Sequence, residues 1–166
     1  MTTDSFSSEW FLYNVWDSIL SKHPDTILNI IGNWPRSQTE KYKNIPNINF
    51  LGIVKDLGEA LNGAISIVPI LSGSGIRMKI LDAVNYGTPF ISTTVGALDM
   101  GFEDGRDCYI ADSVNDFSKK LSKLITNSSI REKFYENSFK VYNDNYSVNQ
   151  LIKKRLEYYN NIFFVE

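Results

Sequence analysis

The residues best suited to chemistry lie in one short segment between a predicted strand and a predicted helix. The segment holds, in order along the chain, Gly73, Ser74, Gly75, Arg77, Lys79 and Asp82. Glycines let backbone N–H groups approach a ligand closely, and the first turn of a helix combines unpaired N–H donors with the positive end of the helix dipole. The pattern therefore predicts an anion site that fits a phosphate.

Charged side chains extend this prediction along the helix. Arg77 offers a planar guanidinium and Lys79 a compact ammonium, so a diphosphate at the helix start could contact both. Asp82 lies one helical turn beyond Lys79, three residues along the chain. From there its carboxylate could accept hydrogen bonds from a ribose diol. The buried face of the helix is predicted to contain Ile76, Ile80, Ala83 and Val84.

These residues can also be interpreted as purely structural. From the residues alone, the structural interpretation and the phosphate site have about equal weight. A glycine-rich connection is often only a tight turn, Lys79 and Asp82 could be a surface pair, and Arg77 could be solvated. Asp104 and Asp107 are interpreted as parts of a turn, without a functional role.

Three further residues are assigned structural roles. Trp34 is expected to cap a core rather than stack on a nucleobase. Cys108 is expected to be a small core residue, because His23 is the only histidine that could activate a nucleophile. His23 itself precedes a proline and is interpreted as a solvated helix end.

Strands and helices are predicted to alternate along most of the chain. Strands are expected at 26–32, 48–54, 64–70, 88–95 and 108–111, and helices at 6–22, 55–63, 75–87, 114–126, 129–143 and 147–163. Residues 34–47 are expected to form a loop with one helical turn of crossover. The runs at 26–32 and 48–54 are too continuously apolar for one-sided antiparallel strands, which indicates buried parallel strands. Gly87 is expected at the C-terminal cap of the helix over 75–87.

This alternation predicts the fold class: an α/β, Rossmann-like, doubly wound and mostly parallel sheet with helices on both faces, in one domain over 1–166. In such sheets the ligand crevice lies beyond the carboxyl ends of the strands. The segments to consider are therefore 32–35, 52–55, 70–75 and 94–98.

Composition excludes several functions. The 17 basic and 19 acidic residues give a net charge of −2, which disfavours nucleic acid as a partner. One cysteine and one histidine exclude an internal disulfide and the common zinc sites. No apolar run reaches the roughly 18 residues of a membrane span, and no signal segment is recognisable, so a cytoplasmic location is expected, with at most peripheral contact at the inner membrane surface.

The string SGSGIRMKILDAVNYGTPFISTTVGALDM resembles the donor-binding segment of GT-B glycosyltransferases, in the subgroup with the pattern G-x-G-x-R-x-K-I-L-E-A-x-x-x-G-x-P (group 1, family 4-like). Two upstream strings, WFLYNVWDSILSKHPDTILNIIG and NINFLGIVKDLGEAL, look like the elements that precede this segment in the family. The resemblance covers nearly the whole chain and identifies it with the C-terminal, donor-binding domain.

The resemblance implies transfer of a sugar from a nucleotide diphosphate sugar to an acceptor glycan or lipid, without a cofactor or metal. By position, residues 73–75 would lie against the diphosphate, Arg77 or Lys79 would contact phosphate, and Asp82 would bind the ribose hydroxyls. Gly52, Ile53 and Val54 would pass near the base, and Met78 completes the segment. Polysaccharide or glycoconjugate biosynthesis is the expected process.

The sequence departs from the family pattern in three ways. Ser74 stands where many relatives have an acid that contacts the donor sugar, and Asp82 is one methylene shorter than the usual glutamate. The family's first strand is also apparently missing. We therefore expect a chain that needs an N-terminal acceptor-binding domain, is inactive alone and self-associates through the helix over 147–163.

Two alternatives remain. One is a non-catalytic binding or assembly module that keeps the fold and pairs with another chain. The other is a different nucleotide-binding protein such as a dehydrogenase, which is disfavoured because no G-x-G-x-x-G follows a first strand.

Overall fold

A computed structural model describes residues 5–73 and 75–163, and Ser74 and Phe164 therefore lie outside the described residues. The helices are α1 (Ser5–Trp10), α2 (Trp16–Leu20), α3 (Arg36–Tyr42), α4 (Leu57–Leu61), α5 (Met78–Asn85), α6 (Thr94–Ala97), α7 (Val114–Thr126), α8 (Ser128–Asn145) and α9 (Val148–Phe163). The strands are β1 (Leu28–Ile31), β2 (Ile48–Gly52), β3 (Ser66–Val68), β4 (Phe90–Ser92) and β5 (Tyr109–Ile110).

The first predicted helix is present but is not uniformly α-helical. A π-helical turn, Phe11–Val15, separates α1 from α2. The inward side chains of this region are buried in the larger of two core clusters: Phe11, Leu12, Val15, Trp16 and Ile19. The indole N–H of Trp16 donates to the carbonyl oxygen of Pro46 at 3.0 Å, which ties this helix to the chain just before β2.

The strands form two parallel groups rather than one continuous sheet. β1 pairs with β2, and β4 lies between β3 and β5. Every pairing is parallel, and the β1–β2 register shifts between Ile30 and Ile31. The predicted alternating, parallel α/β class is confirmed, whereas a single unbroken sheet is not what the described residues form.

Burial differs between strands. All three residues of β4 are buried, as expected for a strand with neighbours on both sides and helices on both faces. In β1 and β2 the apolar residues are only half-buried. The prediction of buried parallel strands at 26–32 and 48–54 was therefore right about direction and wrong about burial, because β2 has one strand neighbour and β1 lines a gap.

The C-terminal helices follow the predicted bounds closely. The Ser113 hydroxyl accepts a hydrogen bond from the Asp116 N–H, and the Asn127 side chain accepts one from the Ile130 N–H, which caps α7 and α8. Phe117 and Leu121 of α7 pack in the same core cluster as the first helix. Local capping signals in the sequence thus fixed these helix starts.

Three local predictions need correction. The connection between β1 and β2 contains α3, which is longer than one turn. Residues 94 and 95, predicted as the end of a strand, instead begin α6, because Thr93 caps a helix there. Ile76 was assigned to the buried face of α5 but is 63% exposed, because α5 begins only at Met78 and Ile76 lies in the preceding loop.

Helix α9 is exposed along its described length. Its large apolar side chains include Ile152, Leu156 and Tyr159, which the sequence places on one stripe. The side chain of Phe163 lies outside the described residues. Among the described residues, no helix is both long enough and apolar enough to cross a membrane.

Candidate functional site

A side chain of α1 anchors the loop that follows β3. The buried Ser7 hydroxyl accepts a hydrogen bond from the Leu71 N–H at 3.0 Å. Beyond this anchor, Gly73 has φ +117° and Gly75 has φ +88°, conformations that side-chain-bearing residues rarely adopt. The two glycines are therefore required by the backbone path as well as by the close approach of a ligand.

Arg77 lies across this loop. A Cβ placed on Gly73 would lie 3.5 Å from Nη2 of Arg77, so the guanidinium packs over the glycine. Arg77 is also the N-cap residue of α5, and its side chain does not cap the helix. The prediction that the helix begins directly after Gly75 was wrong, since Ile76 and Arg77 intervene.

Lys79 and Asp82 both line one cavity of about 380 Å³. Desolvation lowers the pKa of Lys79 and raises the pKa of Asp82, although the outer part of Lys79 is exposed to solvent. Within residues 5–73 and 75–163, no ion pair involves either side chain. An ammonium and a carboxylate thus line one partly desolvated cleft, and neither forms an ion pair with another described residue.

The same cavity contacts the ends of two strands. Ile31 is the last residue of β1, Pro69 follows the last residue of β3, and both line the cavity with Lys79 and Asp82. The charged pair on α5 is therefore adjacent to carboxyl ends of parallel strands, the position at which doubly wound sheets bind ligands.

The segment after β2 lies at the end of the β1–β2 ladder. Gly52 has φ +65°, and its carbonyl oxygen accepts a hydrogen bond from the Gly32 N–H at 2.7 Å. Ile53 is 81% exposed and Val54 is half-buried. Met78, at the start of α5, is also exposed. An exposed isoleucine beside a strand end offers an apolar surface on which a flat group could rest.

The segment after β4 is already closed by a protein carboxylate. Asp112 Oδ1 accepts a hydrogen bond from the Thr94 N–H at 2.8 Å, and Asp112 Oδ2 accepts one from the Thr94 hydroxyl at 2.7 Å. Residues 94–98, which the sequence placed among four candidate segments, therefore have their N-terminal donors occupied.

The three residues assigned structural roles behave as follows. Trp34 packs edge-on against Tyr42 and Phe50, which confirms its place at the core. Cys108 is fully buried, and desolvation, with Asp107 and Asp104 nearby, raises the pKa of its thiol far above the ordinary value. His23 does close the end of α2, because its backbone N–H donates to the Ile19 carbonyl oxygen. The interpretation of its side chain as solvated was wrong, because Nε2 is buried, with no hydrogen-bond partner among the described residues.

Two contributors to the site were missed from the sequence. Ser7 gave no signal beyond its place in the first turn of a helix, because its partner Leu71 is 64 residues away. Asp112 stands directly before the Ser113 cap, and its contact with Thr94 arises only when β4 and β5 pair. In the described part of the chain, no cluster of three or more histidine, cysteine or acidic side chains is suited to hold a metal ion.

The parallel topology, the left-handed glycine loop and the charged turn of α5 together define a Rossmann-like α/β domain with a candidate anion site. The family described as "Glycosyl transferases group 1" matches residues 6–127, and the chain belongs to this family.

Among curated proteins, the chain is similar to an uncharacterized 44.6 kDa protein in the cps region of Klebsiella pneumoniae, with 27% identity over 146 residues. That match covers 82% of this chain but only 38% of the relative.

Two solved structures show the same fold. The C-terminal domain of LpcC, a group 1 family glycosyl transferase from Francisella tularensis, aligns with a TM-score of 0.65 at 21% identity, covering 89% of this chain and 82% of that one. A mutant TarM from S. aureus, in complex with fondaparinux, alpha-GlcNAc-glycerol and UDP, aligns with a TM-score of 0.78 at 16% identity. That alignment covers 96% of this chain and 33% of TarM. The predicted family, enzyme class and fold are thereby confirmed.

Proposed function

We propose that this chain is the donor-binding half of a glycosyltransferase, which holds a nucleotide diphosphate sugar while a second domain presents the acceptor. The observation that carries the proposal is the pair formed by Lys79 and Asp82. Both line one cleft beside two strand ends, both are partly desolvated, and no ion pair involves either among the described residues.

Desolvation argues for a ligand at this place. Even partial desolvation disfavours a charged ammonium, and a bound diphosphate would restore favourable charge interactions for Lys79. The packing of Arg77 over Gly73 places a second cation beside the same loop. A diphosphate against residues 73–75 would therefore meet backbone donors and two cationic groups.

Asp82 supplies the complementary chemistry. A ribose has two adjacent hydroxyl donors, and an ionised carboxylate has two acceptor oxygens. One turn of α5 then separates the group that binds phosphate from the group that binds ribose. Gly52, Ile53 and Val54 are proposed to border the base, since Ile53 is highly exposed beside the end of β2.

We propose UDP as the nucleotide of the donor, because the similar TarM structure contains UDP. Acceptor binding and turnover are assigned to polypeptide beyond this sequence, because the chain spans 38% of the Klebsiella relative and 33% of TarM. The product is proposed to be a cell-surface glycan, in keeping with a relative in a cps region. Binding is proposed to need no metal, since Arg77 and Lys79 supply the positive charge.

Exposure of α9 favours a second candidate function. Its apolar side chains, including Ile152, Leu156 and Tyr159, have about half their surface exposed. The second candidate is therefore an assembly module that has the same fold, binds no donor and pairs with another chain through α9.

Calorimetric titration with UDP, GDP and ADP separates the two candidates. We expect saturable binding of UDP, weakened by about 1–3 kcal/mol in Lys79→Ala and in Asp82→Ala. Lys119→Ala and Asp144→Ala, exposed changes on α7 and α8, are matched controls that should bind as the unchanged chain does. Folded protein that binds none of the three nucleotides would contradict the donor role and favour the assembly module.

A further inference from the structure

Helix α4 forms one wall of the cleft and has little burial of its own. Leu57, Ala60 and Leu61 line the cavity of about 380 Å³ together with Lys79 and Asp82 of α5. None of the five residues of α4 is buried, whereas four residues of α5 are. Because burial fixes α5 in the core and leaves α4 at the surface, the position of α4 depends on the contacts that neighbouring elements make with it.

The end of α5 supplies two such contacts. The ring of Tyr86 lies against Gly58, in the first turn of α4: a Cβ placed on Gly58 would be 2.9 Å from Cδ1 and 3.0 Å from Cε1 of Tyr86. The Thr88 hydroxyl donates a hydrogen bond to the carbonyl oxygen of Leu61, the last residue of α4, at 3.2 Å. Tyr86 and Thr88 thus contact α4 near both of its ends.

The contact with Tyr86 gives a reason for the glycine at position 58. Gly58 lies inside a helix, where alanine is more favourable than glycine, and its φ angle is not positive. The atoms nearest to a Cβ at this position belong to Tyr86 and to Asp56, whose carboxylate accepts a hydrogen bond from the Glu59 N–H and caps α4. Packing against these side chains, and not the backbone path, therefore requires a residue without a side chain.

Tyr86 is connected directly to the charged turn of α5. Its backbone N–H donates to the Asp82 carbonyl oxygen at 3.0 Å, and the Thr88 N–H donates to the Ala83 carbonyl oxygen at 2.8 Å. The Tyr86 side chain is 46% exposed, so its ring contributes little to the core. Tyr86 is also not among the described residues that line the cavity. Its effect on a ligand in the cavity therefore passes through Gly58 and α4.

The segment proposed to border the base leads directly into α4. Gly52 is the last residue of β2 and is fixed in the β1–β2 ladder. Ile53 and Val54 follow it, and Asp56 is already the N-cap of α4. A shift of α4 would therefore move this segment relative to the charged turn of α5.

We propose that Tyr86 is a positioning residue for recognition of the base. By packing on Gly58 it holds α4, and through α4 residues 52–54, at the distance from the charged turn of α5 that suits a nucleobase joined to its ribose and diphosphate. The proposal rests on the donor role proposed above and adds to it a residue that sets selectivity between bases. Loss of the ring should weaken the binding of ligands that carry a base and leave the binding of a bare diphosphate unchanged.

Calorimetric titration with UDP, ADP and inorganic pyrophosphate tests this expectation. Tyr86→Ala should lower the affinity for UDP by about tenfold and the preference for UDP over ADP by about fivefold, with the affinity for pyrophosphate changed by less than about twofold. Tyr86→Phe keeps the ring and should bind all three ligands as the unchanged chain does. Tyr135→Ala is the matched control, because Tyr135 of α8 packs on Gly87 at the same end of α5.

A double-mutant cycle shows whether Tyr86 acts through Gly58. Gly58→Ala places a methyl group against the ring and should lower the affinity for UDP by about fivefold. In the Tyr86→Ala background the same methyl group meets no ring, and Gly58→Ala should change the affinity by less than about twofold. Additive effects of the two substitutions would overturn the proposal.

Two further outcomes would also overturn it. An unchanged affinity of Tyr86→Ala for UDP would show that the ring does not position the site, and equal losses for UDP and pyrophosphate would show a general loss of structure. Both leave the donor role intact, because the unchanged chain still binds UDP. A folded, unchanged chain that binds no nucleotide would instead contradict the donor role on which this proposal rests, so the two failures are distinguishable.

Discussion

Lys79 and Asp82 occupy one turn of α5 and line the same cavity, but no ion pair joins them. Their spacing suits a helical ion pair, which is a common use of oppositely charged residues three apart. Instead each is partly desolvated, with the pKa of Lys79 lowered and the pKa of Asp82 raised. Two unpaired opposite charges in one cleft fit a ligand with an anionic part and a hydroxyl-bearing part.

The pKa shifts predict how donor affinity depends on pH. Lys79 loses its proton as the pH rises through its lowered pKa, and a diphosphate favours the charged ammonium, so affinity should fall on the alkaline side. Asp82 gains a proton as the pH falls through its raised pKa and then accepts ribose hydrogen bonds less well, so affinity should fall on the acid side.

Calorimetry with a UDP-sugar over a pH series measures this dependence, because its diphosphate diester does not titrate near neutrality. Lys79→Met should remove the alkaline decline, and Asp82→Asn should remove the acid decline. If both variants keep the pH profile of the unchanged chain, these two groups do not contact the donor.

The glycine loop should respond to added side chains. Gly73 and Gly75 have positive φ angles, so alanine at either position should cost about 1–2 kcal/mol of stability and weaken UDP binding by changing the loop. Gly105→Ala is the matched control, because Gly105 has φ +74° with open space around it but lies outside the cleft. Denaturant unfolding should show similar losses for all three variants, while only the two loop variants lose affinity. Equal UDP affinities would show that the loop does not contact the diphosphate.

Nucleotide binding should not depend on a divalent metal. Arg77 and Lys79 place positive charge where a metal ion would otherwise neutralise the diphosphate. Calorimetric titration with UDP in EDTA and in excess magnesium or manganese should give the same affinity within about twofold, apart from the weakening expected from ionic strength. A marked gain in affinity with manganese alone would indicate a metal-bridged donor instead.

A buried carboxylate away from the cleft should matter for stability alone. Asp107 is 1% exposed and accepts hydrogen bonds from the Arg106 Nε and Nη2 atoms at 2.8 Å and from the Glu103 N–H at 2.9 Å. Asp107→Asn should therefore reduce the free energy of unfolding by about 1–3 kcal/mol. Glu103→Gln changes only an exposed partner of Arg106 and should leave thermal unfolding unchanged. Comparable losses in the two variants would contradict the assignment of Asp107 as the stabilising partner.

Exposure of α9 predicts self-association. Ile152 and Leu156 are more than half exposed on one stripe, so the chain should form concentration-dependent oligomers in sedimentation velocity. The double substitution Ile152→Glu and Leu156→Glu should make the chain monomeric without changing its affinity for UDP. A wild-type chain that stays monomeric at high concentration would remove support for α9 as an association surface.

Local signals in the sequence were enough for much of the fold. Pro24 and Gly87 marked helix ends, and the predicted bounds of α7, α8 and α9 lie within two residues of those observed. The glycine loop and the face shared by Lys79 and Asp82 also followed from spacing alone.

Features that depend on long-range contacts could not be predicted. The contact of Ser7 with Leu71 and the closure of α6 by Asp112 join residues far apart in sequence. The split of the strands into two groups could not be predicted either, because the composition of a strand does not show which strands pair with it. Ile76 was wrongly assigned to the buried face of α5, because hydrophobic periodicity does not show that the helix begins only at Met78.

A crystal structure of the chain with UDP would show directly whether the donor lies against α5. We expect the diphosphate within hydrogen-bond distance of the Gly75 N–H and Lys79 Nζ, with both ribose hydroxyls donating to the Asp82 carboxylate. UDP bound elsewhere, with Lys79 and Asp82 still facing an empty cleft, would contradict it.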